Sequence, residues 1–219
     1  RRIVQWSAGA WSLWKRNFVA TATRFWDGKF WLSNNFQLYE FEKDGAKYYP
    51  NIWCRLKIED RPIRFGGHHH VIDVVRLHGA ENWFGSHSTL YDSLDTNLVR
   101  KGLDSKGSAI MQRAHVHEVG HLLGLDHVDV GKGHCPPGGN RNASNCYGVA
   151  DADKYSVMGQ GMALRRPQAM PWRKAMVALS GKGRVLAASD WQAKLQRIYP
   201  RLPAEVASNA MLTHRPLRK

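Results

Sequence analysis

Hydrophobic residues near the start of the chain recur at every third or fourth position. The recurring residues are Trp11, Trp14, Phe18, Ala22 and Phe25. This spacing is typical of a helix that buries one face, so we predict an amphipathic helix over residues 8–26. We expect its aromatic stripe to pack into the core rather than to bind a cofactor, because periodic apolar residues on one helix face are a packing signal.

Four segments further along have the patterns of β-strands. Residues 29–36 form a short strand-like run, and residues 52–58 alternate between apolar and polar side chains, which predicts a half-buried strand. Residues 70–77 are more continuously apolar and predict a second buried strand. Residues 83–94 carry polar side chains at many positions, which favours a strand at the edge of a sheet.

Helical patterns return in the second half of the chain. A helix is predicted over residues 108–123, because Gly124 stands where helices commonly end in a left-handed residue. Residues 126–161 have no regular periodicity. Three short helices are predicted after them, each opening with a proline or serine, at residues 171–179, 189–199 and 203–212. The order of these elements predicts a single α+β domain over residues 1–219.

The composition is that of a folded globular protein. Hydrophobic residues make up 43% of the 219 residues, and no apolar run reaches the roughly 18 residues that a membrane span needs. The chain opens with Arg1-Arg2 instead of methionine and carries no signal-peptide pattern, which we interpret as a piece of a longer protein.

The net charge of +14 is concentrated at the C-terminal end. Residues 160–219 hold 12 of the 32 lysines and arginines, but only Asp190 and Glu205 of the 18 acidic residues. This basic tail predicts an anionic partner such as a lipid surface, a polyanionic glycan or nucleic acid. The alternative is a solvated face that keeps the protein soluble. We expect a monomer without specific nucleic-acid recognition.

Two of the three cysteines bracket a loop rich in proline, glycine and asparagine. A disulfide between Cys135 and Cys146 would stabilise this loop by about 3 kcal/mol and would indicate an oxidising compartment, such as a periplasm or the extracellular space. Cys54 lies on a predicted strand, where we expect it to be a small buried hydrophobic residue.

Residues 117–127 carry the most specific chemistry of the chain. His117 and His121 are four residues apart on a predicted helix, so their imidazoles project from one face and can bind one ion together. Gly124 permits the sharp turn that returns His127 to the same ion. Three histidines leave one position of a tetrahedral zinc ion open to water, which is the pattern of a catalytic zinc site.

The residue after the first histidine completes this pattern. Glu118 can take a proton from the attacking water and deliver it to the leaving amine. A purely structural metal site would have no use for this carboxylate. The sequence therefore predicts an amide hydrolase with one zinc ion per chain.

The run HEVGHLLGLDH resembles the HExxHxxGxxH signature of the metzincin metallopeptidases. Residues 155–159 (YSVMG) are similar to the methionine-containing turn of that family, which would place Met158 below the metal. The resemblance implies a metzincin-like fold. Its upper lobe, residues 1–125, would contain a twisted sheet, helices and the active-site helix, and its irregular lower lobe, residues 126–219, would end in helices. Residues 83–94 would bind an extended peptide by strand addition.

Two positions depart from the family pattern. Val128 and Asp129 follow the third histidine and do not match the residue that several subfamilies place there, so the subfamily stays open. Gln160 stands where some members carry a tyrosine. Tyr155 and Tyr147 are then the candidates for stabilising the oxyanion.

Other histidines and carboxylates of the chain are further candidates for metal ligands or for their hydrogen-bond partners. Residues 68–70 are three adjacent histidines, but neighbouring strand residues point to opposite faces, so one ion would not easily collect all three. His115 points elsewhere on the helix. Asp126 and Asp129 are candidates to hydrogen-bond the metal-binding imidazoles.

The sequence as a whole favours a zinc endopeptidase that acts on peptides or proteins outside the cytoplasm. Its arrangement is similar to the metzincin-type effector domains at the C-terminus of type VI secretion spike (VgrG) proteins, which implies a delivered bacterial toxin. One alternative is a zinc amidase that trims cell-wall peptides. Another is a basic binding module that keeps the metal and has no activity.

Overall fold

A computed structural model gives the fold. It describes residues 2–34, 41–48, 51–79, 81, 88–180 and 187–195. The helix predicted over residues 203–212 lies outside these ranges. Within them the chain is a mixture of four α-helices and several small sheets, which confirms the α+β class. None of the described helices is long and apolar enough to cross a membrane.

The N-terminal helix is confirmed at its predicted bounds. Helix α1 runs from Ala8 to Trp26. Its buried side chains are Trp14, Phe18, Ala22 and Trp26, which lie four residues apart and therefore share one face of the helix. The Trp14 indole donates a hydrogen bond to the main-chain oxygen of Asp92 at 3.2 Å, so the polar edge of this buried ring is satisfied.

The chain divides into two compact units. The first contains residues 1–25 and 57–164, and the second contains residues 26–56 and 165–219. Both of the predicted lobes contribute to the first unit. The division into an upper and a lower lobe stays a prediction.

The first unit contains two small sheets. Strand β5 (Asp73–Val75) pairs in parallel with β6 (Leu90–Asp92), whereas β7 (Leu98–Leu103) and β8 (Ala109–Arg113) form an antiparallel hairpin. A bulge interrupts the hairpin between Arg100 and Gly102. The predicted strands 70–77 and 83–94 are therefore present only in short central or C-terminal parts, and residues 82–87 lie outside the described residues.

The predicted helix 108–123 is wrong in its first part. Residues 109–113 form β8, and helix α2 begins only at Ala114 and ends at Leu122. The reason is an alternation in which Ile110 and Gln112 are buried between more exposed neighbours, which suits a strand paired with β7. The hairpin consequently leads directly into α2.

The second unit contains a three-stranded antiparallel sheet with its first strand in the middle. Strand β1 is Phe30–Asn34, and it pairs with β4 (Ile52–Cys54) and with β9 (Trp191–Leu195). Strand β4 is shorter than the predicted 52–58. The predicted helix 189–199 is wrong over residues 191–195, because these residues alternate between buried and exposed positions and complete this sheet. Residues 196–199 lie outside the described residues.

Two further elements complete the second unit. Strands β2 (Phe41–Lys43) and β3 (Ala46–Tyr48) form a small hairpin. Helix α4 (Met170–Ser180) confirms the helix predicted over residues 171–179. Its Trp172 packs against Phe30 of β1, with ring centroids 5.5 Å apart, and donates a hydrogen bond to the main-chain oxygen of Arg55. The remaining helix, α3 (Asp151–Lys154), belongs to the first unit.

Candidate metal centre

The centre is built on α2 and on the turn that ends it. Seven consecutive residues of this helix, 114–120, are buried, so His117 is enclosed by its surroundings. Gly124 ends the helix with φ +85°, a conformation that glycine adopts without strain. A Cβ at Gly124 would meet no atom within 4 Å, so glycine is required by backbone conformation and not by lack of space.

Three imidazoles converge beyond this turn. The Nε2 atom of His121 lies 3.1 Å from Nε2 of His117 and 3.0 Å from Nε2 of His127. They form the only cluster of three or more potential ligands within the described part of the chain, with ligand atoms within 4.8 Å of one another. The three histidines predicted to share an ion are therefore brought together.

The hydrogen bond made by Nδ1 of each ring determines whether its Nε2 atom carries a hydrogen or a free lone pair. The Nδ1 atoms of the three rings each lie 2.7 Å from a main-chain oxygen: Val157 for His117, Leu125 for His121 and Arg141 for His127. A carbonyl oxygen only accepts, so each Nδ1 carries the hydrogen. In the neutral ring Nε2 then presents a bare lone pair, and three such lone pairs point into one space.

The environment keeps these rings neutral. Burial, together with the neighbouring imidazoles, lowers the pKa of His117 to about 3 and that of His127 to about 4. Burial likewise lowers the pKa of His121. Neutral imidazole is the form that binds a metal ion, so the site is poised to accept a cation at neutral pH.

Glu118 lies beside this cluster and is nearly buried. Its side chain has no hydrogen-bond partner among the described residues, and the residue is 7% exposed. Burial raises the pKa of its carboxyl to about 8, with a further contribution from Asp95 and an opposing one from Lys101. A bound cation would add an attraction for the carboxylate and lower this value.

The carboxylates of Asp126 and Asp129, which lie just before and after His127, do not hydrogen-bond the three imidazoles. The prediction that Asp126 or Asp129 hydrogen-bonds a metal-binding histidine is wrong, because the three Nδ1 atoms donate to main-chain oxygens. Asp126 instead pairs with Arg141 at 2.9 Å. Asp129 is fully buried and accepts hydrogen bonds from His134 and from the main-chain nitrogen of Val149.

The disulfide predicted between Cys135 and Cys146 is present and closes the loop that follows His127. Both cysteines are 1% exposed, whereas residues 136–142 between them are all exposed. This loop carries Arg141, whose oxygen accepts the hydrogen bond from His127. Cys54 is the free cysteine of the chain, and it is buried as predicted.

The segment that resembles a methionine turn lies against two of the histidines. Met158 is 1% exposed, and its main-chain oxygen accepts a hydrogen bond from the nitrogen of Val128, directly after His127. Val157, one residue earlier, provides the oxygen for His117. Val157 therefore contacts His117, and Met158 contacts the residue that follows His127.

Gln112 is the supporting residue that sequence reasoning missed. Its buried amide nitrogen lies 3.2, 3.0 and 3.2 Å from the main-chain oxygens of Val157, Gly159 and Gly161. It shares the inward face of β8 with Ile110. Reading residues 109–113 as a strand would have revealed a buried polar side chain, but the predicted helix concealed this signal.

The two candidate tyrosines differ in their placement. Tyr155 donates its hydroxyl to Asp104 at 2.9 Å and is 37% exposed, so it is engaged away from the cluster. Tyr147 lies over His127, with ring centroids 3.8 Å apart, and its hydroxyl has no partner in the described part of the chain. Burial raises the pKa of Tyr147, and so does the charge of Glu118. Tyr147 thus stays protonated beside the centre.

The remaining histidines near the motifs have other partners. His115 is fully buried, and its Nδ1 lies 3.0 Å from the main-chain oxygen of Asp95, so it points away from the cluster as predicted. Its Nε2 lies 2.5 Å from the hydroxyl of Thr21 on α1. Residues 68–70 do not belong to any cluster of potential ligands that the described residues form.

Comparison of the chain with known protein families, curated proteins and solved structures finds no match. What the centre does is therefore inferred from its geometry and chemistry.

Proposed function

We propose that the chain is a zinc-dependent endopeptidase. The observation that carries this proposal is the convergence of three Nε2 atoms, 3.0 and 3.1 Å apart, while every Nδ1 donates to a main-chain oxygen. Bare lone pairs at this separation repel one another unless a cation lies between them. The donor set fits a metal ion, and three histidines with one open position are typical of catalytic zinc.

The chain supplies a base for hydrolysis next to this donor set. Zinc, when bound, acidifies water and polarises a carbonyl oxygen. Glu118 would accept the proton of the attacking water and transfer it to the leaving nitrogen. Its carboxyl is suited to this role because it is nearly buried and makes no hydrogen bond with a described residue, so its oxygens are free to accept a proton.

Tyr147 is the better candidate for stabilising the charge that develops on the carbonyl oxygen. Its hydroxyl keeps its proton near His127 and Glu118 and is free to donate a hydrogen bond. An enclosed donor of this kind is worth more than one in bulk water, because the dielectric screening is weaker. Tyr155 is not proposed for this role, since its hydroxyl is used by Asp104.

The hairpin before α2 offers a place for an extended peptide. Strand β7 pairs with β8 along one edge, and the other edge is unpaired among the described residues. Its apolar side chains at Leu98, Val99 and Leu103 are exposed. A substrate strand adding to this edge would satisfy the main-chain groups and cover these side chains. We therefore propose β7 as the substrate platform in place of residues 83–94, where Tyr91 and Asp92 are buried.

The protein family and the compartment in which the protein acts are proposed from a few local features. The run 117–127 and the turn around Met158 support a metzincin-like peptidase, and the resemblance is confined to these motifs. A disulfide beside the centre supports action in the periplasm or the extracellular space. A bacterial effector delivered by a secretion spike, with residues 160–219 on an anionic surface, fits the basic charge of that region.

The test replaces the proposed base without removing the metal ligands. Glu118→Gln keeps the shape of the side chain and removes its basicity, so hydrolysis of a random peptide library should fall by about 10²–10⁴-fold. Zinc content, measured by elemental analysis, should stay at one ion per chain. Glu59→Gln, at an exposed position, is the matched control and should leave both values unchanged.

Three results would change the proposal. Equal hydrolysis by wild type and Glu118→Gln would exclude Glu118 as the base. A protein that binds zinc but hydrolyses nothing would favour the inactive binding module. Products from purified peptidoglycan alone, and none from the peptide library, would favour the cell-wall amidase.

A further inference from the structure

We propose that the loop closed by the Cys135–Cys146 disulfide positions the third metal ligand, His127, and that the affinity of the centre for zinc depends on this disulfide. The inference rests on the proposed metal centre but not on the proposed peptidase reaction. It assigns a role to Arg141 and to both cysteines that the chemistry of hydrolysis does not use.

The direct contact is between His127 and the middle of the loop. The His127 Nδ1 atom donates to the main-chain oxygen of Arg141 at 2.7 Å. Arg141 lies between the two cysteines, which are 11 residues apart in sequence. This hydrogen bond orients the ring and fixes the tautomer in which Nε2 is bare. The position of one main-chain oxygen in the loop therefore determines where the third ligand points.

Little besides the disulfide holds this oxygen in place. Residues 136–142 are all exposed, so the loop has no apolar anchor between its two buried cysteines. Its internal hydrogen bonds are short-range turns, such as Ala143 nitrogen to Asn140 oxygen at 3.0 Å. The Arg141 side chain adds contacts with Asp126 and with the Pro137 oxygen, but the Asp126 pair is more than half exposed. Exposed pairs contribute little to stability.

Cys146 reaches His127 by a second route. The next residue, Tyr147, packs against the His127 ring at a centroid distance of 3.8 Å. The Cys146 oxygen also accepts a hydrogen bond from the nitrogen of Asp129, two residues after the ligand. One end of the disulfide is thus tied to both the ring and the main chain of the third ligand segment.

The hydrogen bonds that orient the other two ligands do not involve the loop, although the Tyr147 ring also lies 5.9 Å from the His117 ring. His117 donates to Val157 and His121 donates to Leu125, and both oxygens lie outside residues 135–146. Opening the disulfide should therefore weaken zinc binding chiefly through His127, whose Nδ1 partner lies in the loop. This specificity separates a positioning role from a general loss of structure.

The experiment measures the zinc dissociation constant by competition with a chromogenic chelator. Cys135→Ser combined with Cys146→Ser opens the loop, and we expect zinc to bind about 10-fold or more weakly, as is usual when a partner of a ligating histidine is lost. Cys54→Ala is the matched control, because Cys54 belongs to the other compact unit, and it should bind zinc like wild type.

A double-mutant cycle identifies the route. In a His127→Ala background the third ligand is already absent, so opening the disulfide should cause little further loss of affinity. The same fold-loss in both backgrounds would overturn the inference, and so would equal affinity of the open and closed loops. A wild-type protein that binds no zinc would overturn the metal centre itself and this inference with it.

A second variant covers the case in which the serine variant does not fold, as judged by circular dichroism. Arg141→Ala keeps the disulfide and removes the side-chain contacts to Asp126 and Pro137 that help to fix the Arg141 oxygen. It should weaken zinc binding by a smaller factor, again only when His127 is present. Unchanged zinc affinity in Arg141→Ala, with the serine variant unfolded, would overturn the inference.

Discussion

The Nδ1 atom of His117 lies 2.7 Å from the main-chain oxygen of Val157, forty residues away in sequence. The neighbouring residue, Met158, accepts a hydrogen bond from Val128 beside the third histidine. Residues 157 and 158 therefore contact both His117 and the segment that carries His127. The main-chain oxygen of Val157 sets the tautomer of His117. Whatever fixes residues 157–161 also fixes the first ligand.

Gln112 is the residue that fixes this segment, which gives the first prediction. In Gln112→Ala the buried oxygens of Gly159 and Gly161 lose the amide that they contact. Leaving buried acceptors unsatisfied is costly, so the free energy of unfolding should fall by about 2 kcal/mol or more, measured by urea denaturation. Zinc binding should weaken as well, because Val157 is released. Gln192→Ala, at an exposed position of β9, is the control and should change neither quantity.

The ligand set could be predicted from the sequence because its signals are local. His117 and His121 are one helical turn apart, and Gly124 adopts the positive φ that the turn to His127 needs. The Cys135–Cys146 pair was likewise visible from a short loop with little else to order it. Each of these signals spans no more than about a dozen residues of the printed sequence.

The supporting residues could not be predicted because they depend on pairing with other segments of the chain. The strand at 109–113 exists because β7 pairs with it, and the strand at 191–195 exists because β1 lies beside it. Apolar spacing in so short a segment fits a helix or a strand equally well. The partners of the three imidazoles are main-chain oxygens, which carry no trace in the side-chain sequence. The side-chain sequence therefore points to Asp126 and Asp129 for a role that main-chain oxygens fill.

The second prediction concerns thermal stability. Zinc that binds only the folded protein should stabilise it by about 2.7 kcal/mol at a free concentration of 100 times Kd. For a chain of this size that corresponds to a rise in Tm of about 5–10 °C, measured by scanning calorimetry. His121→Ala removes the ligand that lies between the other two and should abolish the rise.

The control for this prediction is His68→Ala. Residue 68 lies outside the cluster, so this variant should show the same zinc-dependent rise as wild type. A rise that persists in His121→Ala, or one that disappears in His68→Ala, would place the zinc elsewhere in the chain.

The third prediction compares the two tyrosines. Tyr147→Phe removes a hydroxyl beside His127 and Glu118, so kcat for peptide hydrolysis should fall by about 10²-fold or more. Tyr155→Phe removes a hydroxyl that contacts Asp104 instead, and it should leave kcat unchanged. The reverse ranking of the two variants would assign the oxyanion role to Tyr155.

Tyr155→Phe should have its own measurable effect. The main-chain nitrogen of Ser108 and the hydroxyl of Tyr155 are the main causes that hold the pKa of Asp104 below its ordinary value. Loss of the hydroxyl should raise that pKa, as followed by carboxyl carbon NMR. Because the folded pKa of Asp104 is lowered, its contribution to stability is present above its ordinary pKa and is lost as pH falls through the lowered one. The stabilising contribution of Asp104 above its ordinary pKa should therefore be smaller in Tyr155→Phe than in wild type.

The fourth prediction concerns the reactivity of the cysteines. Cys54 is 1% exposed, and burial raises the pKa of its thiol from 9.0 to about 12. At pH 8 this change lowers the thiolate fraction about a thousandfold, and the thiolate is the form that reacts. The native protein should therefore be labelled by a thiol-specific chromogenic disulfide far more slowly than the unfolded protein.

Counting thiols in denaturant then tests the pairing of the other two cysteines. The chain without reductant should show one thiol in urea, and after reduction it should show three, since Cys135 and Cys146 are joined. Cys54→Ala should show none before reduction and two after it. Three thiols before reduction would contradict the disulfide, and rapid labelling of the native protein would contradict the burial of Cys54, so the two statements can fail separately.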